Sequence, residues 1–166
     1  MKLSKSPLYL FFSVVFWVIP SFASELPIAE DFQEDARLAR HSMMPILVFF
    51  VADYCDYCET VNDLYLQPMY SSGEYSNKLI FRIVNVGRAQ KIRDFNGHKT
   101  SHIRFAGEAG ASLTPAIRFY GPDGQELVPE ILGYNSPEFY AAILETAISN
   151  AISKLRHPAT PGNNNR

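Results

Sequence analysis

The sequence predicts an α/β fold, a central mixed sheet of four to five strands flanked by helices. Three observations carry this. The run ILVFFV, Ile46–Val51, is continuously β-branched and aromatic, the pattern of a central strand buried on both faces. The elements around it read helix, strand, helix, strand, and after an irregular stretch strand, turn, strand, helix, so a βαβ unit precedes a ββα unit. Gly121-Pro122-Asp123-Gly124 is strong turn chemistry between two strand-like runs, which makes the last two strands a hairpin.

In chain order, Lys2 and Lys5 precede the apolar run LYLFFSVVFWVI, followed by Pro20 and the small-residue site Ser21-Phe22-Ala23. This is the order of a secretory signal peptide, residues 1–23. Its apolar part spans roughly 12 residues, short of the roughly 20 a membrane-crossing helix needs. Cleavage after Ala23 is therefore expected, and the remaining chain is expected to work in a periplasm or another extracytoplasmic compartment. A single domain then covers residues 24–156, with a flexible C-terminal tail at 157–166. Within residues 28–44, Phe32, Ala36, Ala39 and Met43 form one apolar stripe on a polar helix, led by acids and closed by Arg37, Arg40 and His41. Pro45 ends it and the ILVFFV strand begins.

From Cys55 to about Tyr70 the period is helical, with Val61, Leu64 and Tyr65 for the core and Pro68 as a kink or stop. SSGEYSNK is a loop, LIFRIVNV (79–86) a second strand and AIRFY, Ala116–Tyr120, a third. ELVPEIL (126–132) completes the hairpin, Pro129 confining it to an edge or a bulge. Ser136 caps a last helix with Pro137 in its first turn, and Tyr140, Leu144, Ile148, Ala151 and Leu155 form its buried stripe. Residues 87–113 show no sustained period; a short helix fits around 101–109, and the glycines favour loop elsewhere.

A formal charge of -2 without a long run of one sign excludes an electrostatic case for nucleic acid or an acidic membrane. The two cysteines, Cys55 and Cys58, carry the chemistry. Three apart at a helix start, they share a face at a separation near what a disulfide requires. A bridge over so short a loop removes little unfolded-chain entropy, so it is a poor staple. A closed zinc site needs four ligands, and none of His41, His98, His102 and His157 stands at metal-motif spacing from another; each reads as a surface residue. A redox pair fits best. The helix start lowers a cysteine's pKa; Cys55, nearer solvent, is the attacking thiolate and Cys58 the resolving one.

The strand ILVFFVAD running into YCDYC, Thr114-Pro115 opening a hairpin roughly 60 residues later, and Gly133 before a terminal helix together resemble the thioredoxin superfamily, over residues 28–155. The reading GYNSPEFYAAIL is similar to its exported members. The resemblance implies a thioredoxin-like fold and an exported thiol–disulfide oxidoreductase. It also implies that Pro115 is cis beside the cysteines and keeps metal from assembling there, and that the backbone of Thr114 pairs with a substrate peptide as an added strand. No cofactor is implied. The implied partners are protein or peptide disulfides and a membrane-bound electron donor.

The chain departs from the family pattern where proton transfer and potential are set. Phe49 stands six residues before Cys55, where cytoplasmic members carry a buried aspartate, leaving Glu59 or water to accept the proton of Cys58. Tyr54 replaces the usual tryptophan. Asp56, beside Cys55, disfavours a second negative charge there, so it raises the Cys55 pKa and favours a reductase over an oxidase. Tyr54, Tyr57 and Tyr134 are candidates for an aromatic rim that grips substrate. Two other readings stay open: a non-catalytic adaptor that binds a partner through the same groove, and a carrier holding copper or zinc between two thiolates.

Overall fold

The computed structural model describes residues 25–135 and 137–157. The expected signal peptide, the Ser136 cap and nearly all of the C-terminal tail lie outside these residues.

Strand β1, Ile46–Val51, forms from the ILVFFV run and is buried along almost its whole length. It pairs in parallel with β2, Ile80–Asn85, on one side and antiparallel with β5, Ala116–Tyr120, on the other. The edge strand β6, Ile131–Leu132, completes a four-stranded mixed sheet in the order β2-β1-β5-β6. Because side chains alternate along a strand, β1 serves two cores. Leu47 and Phe49 pack with Cys58, Val61, Leu66, Tyr140, Leu144 and Ile148 on one face. Ile46, Val48 and Phe50 pack with Phe32, Ala39, Phe105 and Ala106 on the other. Helices thus flank both faces, as the βαβ and ββα units require.

Helix α1, Phe32–Ser42, is capped by the Asp31 carboxylate, which accepts from the Glu34 N–H at 3.0 Å. Its stripe holds at Phe32, Ala36 and Ala39 but not at Met43. That residue leaves the helix in a left-handed conformation, φ 54°, and is exposed, while Met44 takes the buried place. The stripe also contains Asp35, which is buried and paired with Arg82 of β2.

After β1, α2, Asp56–Val61, continues through a π-helical turn, Asn62–Leu66, into α3, Gln67–Ser71. The wider turn changes which residues meet the core. Leu64, expected inside, is exposed, and Leu66 is fully buried in its stead. Pro68 neither stops nor breaks the helix, because it falls in the first turn of α3 where its missing N–H is not needed.

Residues 87–113 contain the expected helix, α4 (His102–Glu108), preceded by an unexpected antiparallel ladder of β3, Lys91–Arg93, with β4, Lys99–Ser101. The Gly121–Gly124 turn forms, but the strand beyond it is interrupted. Leu127 N–H donates to Phe119 O at 2.8 Å, and regular pairing resumes only at Ile131, beyond Pro129. Helix α5, Pro137–Arg156, buries Tyr140, Leu144, Ile148 and Ala151 as its period requires.

Candidate functional site

The connection from β1 to α2 sets the cysteines. Tyr54 takes a left-handed conformation, φ 57°, which turns the chain so that Cys55 becomes the N-cap of α2. Cys55 Sγ accepts from the Cys58 N–H at 3.2 Å, and Cys55 O accepts from the N–H groups of Cys58 and Glu59. The two cysteines are disulfide-bonded with Cα atoms 5.2 Å apart. Cys58 is buried against Phe49 and Val61, whereas Cys55 is half-buried. This asymmetry leaves Cys55 as the sulfur a partner can reach.

Thr114 and Pro115 come beside the pair from the start of β5. The Thr114–Pro115 peptide bond is cis, and Thr114 Oγ1 donates to Cys55 Sγ at 3.6 Å. Gly133, with φ 74°, donates its N–H to Pro115 O at 2.8 Å, so the close approach of the β6 end to this loop requires the left-handed backbone that glycine tolerates.

The expected aromatic rim divides. Tyr57 and Tyr134 have ring centroids 6.2 Å apart, and Tyr134 continues into Tyr65 and Tyr140. The Tyr65 and Tyr134 hydroxyls lie 3.1 Å apart, and this bond is the first cause of the raised Tyr134 pKa. Burial pushes the Tyr140 hydroxyl well above the ordinary phenol range. Tyr54 stands apart, fully exposed. Tyr65, read from its period as a core residue, is thus also part of the cluster beside Tyr57.

A cavity of about 700 Å³ opens on both cysteines. Glu59 lines it, exposed and one residue past Cys58; Asp56 is an exposed first-turn acid of α2. Phe49, 1% exposed, occupies the position of the absent carboxylate. The same cavity carries groups that the spacing of the motif did not indicate. Asp53 accepts from Arg88 Nη2 at 2.7 Å and from Asn85 Nδ2 at 2.9 Å. The Arg88 hydrogen bonds, helped by Asn85, hold the Asp53 carboxyl below its usual range.

His102 overturns the expectation of a surface histidine. It is fully buried, with Nδ1 accepting from the Asn85 N–H at 3.0 Å and Nε2 donating to Ala29 O at 2.9 Å. Burial, which disfavours the charged ring, lowers its pKa, and Arg88 adds to the effect. Among the described residues, no three His, Cys, Asp or Glu side chains are grouped so as to hold a metal ion.

Comparison with known proteins agrees with this geometry. A family model described as a thioredoxin-like domain matches residues 32–148. The fold is similar to that of a thioredoxin from Thermus thermophilus at 16% identity, with a TM-score of 0.60 over 86% of this chain and 99% of that one. It is also similar to the oxidised mitochondrial thioredoxin 3 of Saccharomyces cerevisiae at 18% identity, with a TM-score of 0.50 over 75% of this chain and 94% of that one. No curated protein matches the sequence. With the family model spanning most of the chain, and a Cys-x-x-Cys pair at the start of the helix that follows its central strand, the chain belongs to the thioredoxin-like domain family.

Proposed function

We propose that this protein is an exported thiol–disulfide oxidoreductase that reduces disulfides in protein or peptide substrates. The observation that carries the reading is the Cys55–Cys58 pair at the start of α2, its outer sulfur accessible and within reach of the Thr114 hydroxyl. The Cys55 thiolate attacks one sulfur of a substrate disulfide, forming a mixed disulfide and releasing the other sulfur as a thiolate. The Cys58 thiolate then attacks Cys55 Sγ, closing the pair and expelling the second substrate thiolate, so two electrons pass to the substrate. Unpaired N–H groups at the helix start favour the attacking thiolate. During the mixed-disulfide stage the Thr114 backbone pairs with the substrate as an added strand, and the exposed Tyr54 and Tyr57 rings contact its side chains.

Asp56 supports the reducing direction, since a carboxylate next to Cys55 disfavours its thiolate and so favours the closed disulfide of the enzyme. With Phe49 filling the buried acid position, Glu59 or cavity water receives the proton of Cys58. The basic, apolar and small-residue order of residues 1–23 supports export, where a membrane-bound donor would have to return the pair to the dithiol.

Two measurements test this. A Cys58→Ser variant should trap mixed disulfides with substrates at Cys55; a protein that only docks partners traps none. The midpoint potential of the pair should lie near about -270 mV, and a value near about -120 mV would make it an oxidant.

A further inference from the structure

The cavity on Cys55 and Cys58 carries an uneven set of charges. Among its described lining residues, Glu25, Asp53, Glu59 and Asp63 supply carboxylates and Arg88 is the one permanent cation. His102 faces the cavity as a neutral ring, since its Nδ1 accepts a backbone N–H. Asp56 adds a further exposed carboxylate from α2. The cysteines therefore sit in an anionic surrounding that a single arginine offsets.

That arginine is aimed at one carboxylate. From the turn after β2, Arg88 donates to Asp53 through Nε at 3.1 Å and Nη2 at 2.7 Å, two residues before Cys55. Asn85 Nδ2 holds the same carboxylate at 2.9 Å, so Asp53 has a second anchor that does not depend on Arg88. The side chains of Arg88 and Asp53 are 55% and 48% exposed, and a pair so open to water contributes little to fold stability. Both side chains line the cavity that opens on the two sulfurs.

We infer that the Asp53–Arg88 ion pair sets the redox poise of the Cys55–Cys58 couple, with Arg88 cancelling a carboxylate that would otherwise oppose the Cys55 thiolate. This rests on the redox reading above and assigns a regulator to that site. Arg88 is a positioning residue, acting on the thiols through Asp53 and through the field in the cavity. Without Arg88 the surroundings become wholly anionic, the thiolate is disfavoured and the couple becomes a stronger reductant. Without the Asp53 charge the guanidinium is uncompensated, the thiolate is favoured and the couple becomes a weaker reductant.

The test uses Arg88→Gln, Asp53→Asn and the double variant in the full chain. The Cys55 pKa is followed by thiolate absorbance, and the disulfide equilibrium by dithiothreitol titration. Arg88→Gln should raise the Cys55 pKa by about half a unit and Asp53→Asn should lower it by about as much, the disulfide equilibrium moving about threefold in opposite directions. The double variant should return near the wild type, and all shifts should shrink in 1 M salt, where the screening length is about 3 Å. A merely structural pair would instead shift both single variants the same way. Such a result, no shift, or shifts indifferent to salt would overturn the inference. Failure of the redox reading is separate: the wild type would not exchange electrons with protein disulfides, while the thiol pKa values would remain measurable.

Discussion

At the residue scale the reactivity of Cys55 is a balance of a few contacts. The Cys58 N–H and the Thr114 hydroxyl both point hydrogen-bond donors at its sulfur, an arrangement that favours a thiolate there, and Asp56 stands next to it in the first turn of α2 as the carboxylate proposed above to oppose that charge. Thr114 is the side chain that can be removed with least disturbance, because valine keeps its shape. Thr114→Val should raise the Cys55 pKa by about one unit, since a hydrogen bond to a charged acceptor is worth about 1.5 to 3 kcal/mol when fully formed and this one is long. The pH dependence of alkylation rate reads the shift directly, and an unchanged profile would remove Thr114 from the site. Part of this was legible: the cysteine pair in the letters, and through the family resemblance Thr114, which reaches Cys55. The hydroxyl contact was not, because the resemblance pointed to the Thr114 backbone and only the assembled loop shows where its side chain reaches. Arg88 carried no signal at all, lying 33 residues past Cys55 with nothing in its neighbourhood to mark it.

At the scale of elements, helix and strand periods are reliable where many residues share one environment. β1 follows its pattern nearly along its length, and α5 follows its stripe from Tyr140 to Ala151, with the expected last member, Leu155, only half-buried near the helix end. Departures occur where a single backbone choice changes the phase: the left-handed Met43 ends the α1 stripe, and the π-helical turn exchanges Leu64 for Leu66. The β3–β4 ladder, KIR against KTS, is too short and too polar to show an alternating pattern. One polar contact ties elements together from within. Asp35 of α1, 2% exposed, accepts from Arg82 Nε of β2 at 2.9 Å, and burial raises its pKa against the pull of that arginine. Asp35→Ala would leave Arg82, only 23% exposed, without its counter-charge. The expected cost is about 3 kcal/mol in urea unfolding, since breaking a buried pair leaves an uncompensated charge; a loss under about 0.5 kcal/mol, the range of ordinary surface substitutions, would show that the pair is not a structural tie.

On the scale of the whole molecule, His102 joins three segments: α4 carries it, the end of β2 donates to it through Asn85, and the segment before α1 accepts from it through Ala29. Its folded-state pKa is lowered, so between the folded and unfolded values the unfolded chain binds more protons. The stability it contributes is complete above the ordinary value of 6.5 and is lost as pH falls from there through the depressed folded value. Unfolding measured between pH 8 and pH 5 should show this loss, and His102→Gln should flatten it while retaining one donor and one acceptor; a slope unaltered by the substitution would assign the pH dependence to other groups. The sequence by itself determined the βαβ–ββα order, the central strand, the terminal helix and the place of the cysteine pair after that strand, because these depend on side-chain period and residue type within short windows. Only the tertiary structure decided that Thr114 faces Cys55, that Arg88 neutralises Asp53 and that His102 lies buried. Those meetings bridge tens of residues and are set by sheet register and loop closure, for which no short stretch of sequence carries a signature.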